Sequence, residues 1–348
     1  MASFLERVKD AVERGAKDVV GKFPLKSSGQ DAPSPIKFLL QNGMQVTDRD
    51  KDGYTLLMIA AANSKDPEEI RTLVRMGARV KDRNKEQMTP LMIASVSNSS
   101  PAIIKALLEC GANPNETDET GTTSLMFAAA NNLNPEILIA LVEGGAKIDS
   151  KDNFGMTAFM KASTINKKTL AKLGADIYAQ DNMGWTSMMH AAYMDADSDN
   201  IKLLISLGAS AREKQKDGTT LLMIAARHNV YTDVFKTLLK EGVDVNDKNN
   251  DGMSAILIAA GANQNPDVFK TLVKAGALIN DRDKNGITPL MFACLGNISE
   301  EIIKTLISLG ADLKAKDYSG NTAFAYIQHN EKLEHSDVAN LLKSAALE

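Results

Sequence analysis

The stretch GTTSLMFAAANNLNPEILIALVEGG, residues 121–145, contains the pattern that decides the fold of this 348-residue chain. Thr123 precedes an apolar segment, and a threonine hydroxyl in that place can cap the free N–H groups that begin a helix. The segment NPE, residues 134–136, then offers a cap residue, a proline suited to the first helical position and an acid, which together start a second helix. Gly145 ends that helix, because glycine readily adopts the left-handed conformation that follows a helix. The stretch therefore predicts two short helices joined by a polar turn.

The same pattern recurs along most of the chain with a period of 34 residues. Each unit has a glycine that is followed two positions later by threonine, or once by serine, and then by apolar residues. This unit glycine occurs at Gly53, Gly121, Gly155, Gly184, Gly218, Gly252, Gly286 and Gly320, and Gln87 takes its place once. A second glycine stands ten residues before each of these positions. Such a period is typical of a solenoid, in which each unit packs only against its neighbours.

With the phrases MTPLMIA, residues 88–94, and ITPLMFA, residues 287–293, the unit resembles the ankyrin repeat. The resemblance covers roughly residues 34 to 345. It implies an all-α fold, an ankyrin-repeat solenoid of stacked antiparallel helix pairs with β-hairpin-like loops at one edge. It also implies a protein that binds other proteins through its loop tips and its concave helical face.

The units depart from the ankyrin pattern in three ways. Their period is 34 rather than 33 residues, with the extra residue in the turn between the helices. Methionine replaces the histidine of the T-P-L-H phrase at Met58, Met92, Met126, Met160, Met189, Met223 and Met291. We expect these thioethers to pack between repeats rather than to bind a metal. The unit from Gly155 to Gly184 has only 29 residues, so we expect its helix pair to be shorter by more than a turn and the stack to bend or to have a notch there.

The sequence divides into three parts. Residues 1–20 predict an amphipathic helix that caps the open end of the stack, and a membrane-surface or partner-binding helix is the alternative. Residues 21–33 predict a linker, and residues 34–348 a single repeat array. The array begins with a partial first repeat, continues through about eight full repeats and ends in a polar C-terminal cap from residue 320.

Composition and charge exclude several classes of protein. The chain has 40 Lys and Arg against 44 Asp and Glu, a net charge of −4, which argues against a nucleic-acid-binding protein. No apolar stretch reaches the length of about 18 residues that a membrane span needs. The two cysteines, Cys110 and Cys294, favour a reducing compartment, so we expect a cytoplasmic protein unless an export signal has been trimmed. We expect a monomer, and self-assembly through the solenoid ends is the alternative.

The sequence predicts no enzyme. It contains no H-E-x-x-H, G-x-S-x-G or phosphate-loop motif and no paired C-x-x-C. The segments 48–53 and 281–286 begin like calcium loops but lack the glutamate that position 12 requires. We therefore expect no catalytic residue, no bound metal and no cofactor. The alternative is a metal-dependent or catalytic protein that uses His190, His228 and the turn Asp195–Asp199.

Large residues that depart from the repeat pattern cluster near the short unit. Most residues directly after the unit glycine are apolar, such as Tyr54, Met88 and Trp185, and by resemblance this column faces the concave side. Five of the 17 aromatic residues lie between residues 154 and 193. Phe159 occupies a core position among them, so we expect it to be buried. Lys161 and His190 replace residues that are isoleucine or phenylalanine in most other units.

This cluster predicts the partner-binding site, because aromatic residues and arginine dominate the energetics of protein interfaces. The predicted partner-binding residues are Phe154, Met156, Met183, Trp185, Tyr193, Met194, Arg227 and Tyr231. The alternative is that these side chains fill space around the short repeat. In that case Trp185 and Tyr193 would be buried between repeats.

Overall fold

A computed structural model describes residues 45–194, 198–296 and 299–347, and all regular structure in these residues is helical. The first helices of the repeats are α1 Leu56–Asn63, α3 Pro90–Ser97, α5 Ser124–Asn131, α7 Ala158–Lys161, α9 Ser187–Met194, α11 Leu221–His228, α13 Ala255–Ala262, α15 Pro289–Gly296 and α17 Ala323–Ile327. The second helices are α2 Pro67–Arg75, α4 Pro101–Glu109, α6 Glu136–Glu143, α8 Thr164–Lys172, α10 Asp199–Ser206, α12 Thr232–Lys240, α14 Pro266–Lys274, α16 Glu300–Ser308 and α18 Asp337–Leu347. The predicted helix over 1–20, the linker over 21–33 and the start of the partial repeat lie outside the described residues.

The helices belong to two compact units, one ending at Asn182 and one beginning at Met183. In each unit the first helix of a repeat packs against the first helix of the next repeat, and the second helices pack in the same way. Isolated antiparallel bridges such as Arg49 with Thr55 and Lys214 with Thr220 close the loops that precede first helices. These contacts confirm the predicted all-α solenoid of stacked helix pairs with hairpin-like loops.

Threonines and methionines define the start of the first helices, as the repeat pattern predicts. The Thr89 hydroxyl accepts a hydrogen bond from the N–H of Met92 at 3.3 Å, and other first helices have the same cap. The Met92 thioether in turn accepts from the N–H of Thr89 at 3.4 Å, so sulfur completes the capping box. All seven methionines of this column are at most 7% exposed, which confirms that they pack inside. Gln87, with φ 61°, is the only described non-glycine residue in the left-handed region.

Buried asparagines connect successive repeats at the turns between the helices. The side-chain amide of Asn132 donates to the carbonyls of Ser95 and Asn98 at 3.0 and 2.8 Å. Asn263 makes the equivalent bonds to the carbonyls of its own preceding repeat at 3.0 and 2.8 Å. These amides satisfy buried carbonyls that would otherwise lack partners, and so they hold neighbouring repeats in register.

The short repeat loses half of its first helix and keeps this asparagine contact. Helix α7 has four residues, whereas α1, α3 and α5 each have eight. Asn166 lies within α8, and its amide donates to the carbonyls of Ala129 and Asn132 at 2.9 and 2.8 Å. The predicted shortening is confirmed and falls on the first helix, because α8 still has nine residues. The associated bend or notch of the stack stays a prediction.

Two local details add to the sequence-based picture. Tyr54 and Met88 belong to the column expected to face the concave side, but they are 1% and 0% exposed because they pack with Val96 and Phe127 in one buried cluster. The large side chains of the following repeats cover them. Helix α6 begins at Glu136 rather than at the preceding proline, although α2, α4 and α14 do begin at a proline.

Candidate partner-binding site

The C-terminal unit contains a cleft of about 580 Å³ formed by the loop tips and first helices of successive repeats. Met183, Trp185, Tyr193 and Met194 line one side of it. Met183 and Met194 are 71% and 72% exposed, and the two aromatic residues are partly buried. With Arg227, which also lines the cleft, the structure brings five of the predicted partner-binding residues together around one concave space. We call this space, with its lining, the cleft.

The aromatic side of the cleft is a chain of rings in contact. The ring centroids of Trp185 and Tyr193 lie 5.4 Å apart in an edge-to-face arrangement, and those of Trp185 and His190 lie 5.3 Å apart. Tyr193 also contacts His228, at 4.4 Å between centroids. Such contacts between rings are favourable beyond the area they bury, so they restrain the orientation of each side chain. The rings therefore form a preformed apolar surface inside the cleft.

Local structure fixes the position of Trp185. It follows Gly184, whose φ of 78° directs the loop back towards helix α9. The next residue, Thr186, caps α9 by accepting from the N–H of Met189, and its hydroxyl donates to Glu213 Oε2 of the next repeat at 2.6 Å. Burial raises the pKa of Glu213, and the bond from Thr186 partly offsets that shift. Both neighbours of the tryptophan are thus anchored to the repeat stack.

Charged groups of opposite sign occupy different parts of the cleft. Asp217 and Asp251 line it from two successive loop tips, and Arg227 lines it from the last turn of α11. All three residues are exposed. Among the described residues, neither Arg227 nor Asp251 forms an ion pair. Beside Arg227, burial and then the charge of that arginine lower the pKa of His228.

Three of the predicted residues lie elsewhere. Phe154 and Met156 belong to the N-terminal unit, where Phe154 is a loop-tip residue with 66% of its surface exposed. Tyr231 precedes helix α12 and is 49% exposed, but it does not line the cleft.

The sequence did not predict Asp217 and Asp251 as residues that line the cleft. An aspartate at a loop tip is common in this repeat, so no sequence signal set these two apart.

The short repeat fills its interior with its own side chains. Phe159 is 0% exposed, as predicted. Lys167 is buried beside it, with Nζ donating to the Ala162 carbonyl at 2.7 Å and lying 6.0 Å from the centre of the phenylalanine ring. Lys161 Nζ lies 2.7 Å from Asp152 Oδ2. Trp185 and Tyr193 are half-buried, and for these two residues the partner-binding site and the packing alternative both stay predictions.

The alternative metal-dependent function depends on residues that the structure describes only in part. His190 and His228 both line the cleft, whereas Asp195 and Asp197 lie outside the described residues. Across residues 45–194, 198–296 and 299–347, no three histidine, cysteine or acidic residues are grouped as metal ligands would be. Within the same ranges, no helix has the length and hydropathy that crossing a bilayer would require.

Comparison with protein families identifies a match. The sequence profile of a family described as ankyrin repeats in three copies matches residues 27–118, 125–215, 188–283 and 256–347. The second segment overlaps the third and the third overlaps the fourth, and together the four segments extend over nearly all of the chain. No curated protein matches it.

Proposed function

The chain belongs to the ankyrin repeat family, whose repeats generally act as protein–protein interaction modules, and we propose that it is a non-enzymatic scaffold for a protein or peptide partner. The partner binds the concave face and loop tips, with the cleft of the C-terminal unit as the main contact. The observation that carries this proposal is the set of rings around Trp185 and Tyr193, which stays partly exposed inside a concave space. Partly buried aromatic residues in concave sites dominate many interfaces.

Rigidity supports the same proposal. Capped helices, buried asparagine amides and the bond from Thr186 to Glu213 hold the backbone of the cleft in place. The ring contacts restrain the side chains. A surface that is ordered before binding loses less conformational entropy when the partner arrives. We therefore assign affinity to the apolar side of the cleft and selectivity to the charged residues around it.

The proposed site keeps all the residues predicted from the sequence. Met183, Trp185, Tyr193, Met194 and Arg227 form its centre, since they line the cleft. We propose Phe154, Met156 and Tyr231 as further partner contacts, because Phe154 and Tyr231 are exposed and aromatic residues are enriched at protein interfaces.

Affinity capture with quantitative mass spectrometry tests the proposal. The native chain, Trp185→Ala and Tyr193→Ala are immobilised and exposed to the same lysate. Tyr318→Ala is the matched control, because Tyr318 is an aromatic residue of the same unit that is 74% exposed and does not line the cleft. We expect both cleft variants to lose a partner that the control retains. Equal recovery of every protein by all four chains would show that the cleft is not the binding site.

We also propose a cytoplasmic location and a monomeric state for this protein. Cys110 and Cys294 are both free thiols, in keeping with the reducing cytoplasm that we expect for this protein. We also expect a monomer. Light scattering at several protein concentrations tests the monomer, and a mass that grows with concentration would support self-assembly through the solenoid ends instead.

A further inference from the structure

The cleft has an electrostatic polarity that follows from the position of its charges in the repeat. Asp217 and Asp251 lie at loop tips, before the first helices of their repeats, whereas Arg227 lies in the last turn of α11. An eight-residue helix is about 12 Å long. Asp217 therefore lies just before the start of α11 and Arg227 near its end, and Asp251 has the place of Asp217 in the next repeat, before α13.

An apolar surface lies between these two ends. Trp185 follows a unit glycine and is near the loop tips, whereas Tyr193 is in the last turn of α9. Their rings are in contact, so the apolar surface extends along the helix from the acidic end of the cleft towards the basic end. The buried side chains of Met223, Ile224 and Ile258 also line the cleft and add to its apolar surface.

The charges at the two ends are available to a partner. Neither Arg227 nor Asp251 has an ion pair among the described residues, and Asp217 uses one oxygen to accept from the Thr219 N–H at 2.9 Å. Pairing with a ligand therefore breaks no existing salt bridge. Charges placed in this way discriminate among partners, because a like charge opposite either end is repelled.

We infer that the partner segment is an extended peptide with an acidic side chain at one end, an apolar or aromatic side chain in the middle and a basic side chain at the other end. Its acidic group pairs with Arg227, its apolar group contacts Trp185 and Tyr193, and its basic group pairs with Asp217 and Asp251. In an extended chain, alternate side chains point the same way and four residues span about 13 Å, close to the length of α11. The three groups therefore belong at positions i, i+2 and i+4. This inference rests on the proposed function, because it assumes that the cleft binds a peptide.

Selection from a displayed peptide library tests the inference. The library has a fixed central phenylalanine and random residues at the two positions on either side, and the full chain is the immobilised target. We expect enrichment of peptides with one acidic and one basic residue two positions from the phenylalanine, in either chain direction. Trp185→Ala serves as the target that lacks the apolar contact, and it should retain few of these peptides.

Binding of selected peptides in solution is read from tryptophan fluorescence, because Trp185 is the only tryptophan of the chain. Each exposed ion pair should change affinity by about two- to fivefold, and 0.5 M salt should remove most of that difference. Arg227→Glu should reverse the preference at one end and select peptides with two basic residues. Asp217→Lys combined with Asp251→Lys should select peptides with two acidic residues.

The outcomes separate this inference from the proposed function. If no peptide is enriched on the native chain over Trp185→Ala, the cleft does not bind an extended peptide and this inference fails, whereas the proposed function fails only if the cleft variants also recover every protein in the capture experiment. If peptides bind the native chain with no preference in charge, the cleft binds peptides but the electrostatic assignment is wrong. The assignment also fails if Arg227→Glu leaves the selected charges unchanged.

Discussion

Replacing Lys161 by isoleucine should strongly destabilise the N-terminal unit, even though isoleucine is the residue that several other repeats have at this position. Lys161 Nζ lies 2.7 Å from Asp152 Oδ2, and the two side chains are 8% and 0% exposed. At an effective dielectric constant of 20, charges at that distance attract each other by about 6 kcal/mol before desolvation is counted. Without the lysine, the carboxylate stays buried with no counter-charge. Loss of one partner of a buried pair costs about 3–5 kcal/mol of the free energy of unfolding. We expect the lower end here, about 3 kcal/mol, because the repeat with Phe127 at the lysine position keeps a buried carboxylate at Asp118, which is 8% exposed.

The chain provides its own matched control for this substitution. In the repeat that contains helix α3, the positions of Asp152 and Lys161 are occupied by Asn84 and Ile93, so a neutral pair is compatible with the fold. The double variant Asp152→Asn with Lys161→Ile copies that pair into the short repeat and buries no charge. Replacing a buried ion pair by neutral residues is often nearly neutral for stability. We expect the double variant to lie within about 1–2 kcal/mol of the native chain.

Urea unfolding followed by circular dichroism gives the free energy of unfolding of the native chain, the two single variants Lys161→Ile and Asp152→Asn, and the double variant. Because repeat proteins can unfold in stages, hydrogen exchange of peptides within residues 150–175 gives the local free energy of opening. We expect exchange there to be about 100-fold faster or more in Lys161→Ile and close to native in the double variant. A single variant as stable as the native chain would refute the argument from the ion pair. A double variant as unstable as the single one would show that the loss comes from packing.

Three further predictions concern other parts of the fold. The Tyr326 hydroxyl donates to Asp317 Oδ2 at 2.6 Å and helps to hold the pKa of that carboxyl at about 2. Tyr326→Phe removes this bond, so the free energy of unfolding near neutral pH should fall by roughly 1–2 kcal/mol. Because the folded pKa lies below the ordinary value of 3.8, this stabilisation is lost as the pH falls towards 2, and urea unfolding of native and variant chains should converge there. Met92→Ala, at a fully buried position, should cost about 2–5 kcal/mol, whereas Met76→Ala, at a position 51% exposed, should change thermal unfolding little. Burial lowers the pKa of His228, so the folded state favours the neutral ring. Acidification through pH 6.5 should therefore lower the melting temperature of the native chain more than that of His228→Gln. An equal fall in the melting temperatures of the two chains would contradict this.

The parts of the fold that depend on one repeat could be predicted from the sequence. A threonine two positions after the unit glycine caps its own helix, and a methionine three positions later packs under that cap, so each assignment needs only local residues. The short repeat was predictable in the same way, because its five missing residues are more than the turn between the helices has to lose, so that one helix is shortened as well. The choice between the helices was not predictable. It follows from Asn166, which keeps its bonds to the preceding repeat while α7 ends early.

The cleft was predictable only in part, because it depends on what neighbouring repeats leave uncovered. The positions of Trp185 and Tyr193 off the repeat pattern were visible in the sequence. Whether such a residue is exposed was not, since an apolar residue after the unit glycine has two different outcomes in this chain. Tyr54 is buried, whereas Trp185 lines an open cleft, although both occupy the same place in their repeats.

The difference between these two residues lies in the repeat that follows each of them. Tyr54 is followed one repeat later by Met88 and Val96, and these side chains pack with it in one buried cluster. The corresponding residues after Trp185 are Thr219 and Arg227, which line the cleft instead of filling it. A small polar residue and a long charged one thus leave the indole partly uncovered and place a guanidinium beside the space. Thr219 and Arg227 therefore both leave the cleft open and make part of its lining polar. Its concave shape and its positive charge thus arise together from the same two positions of one repeat.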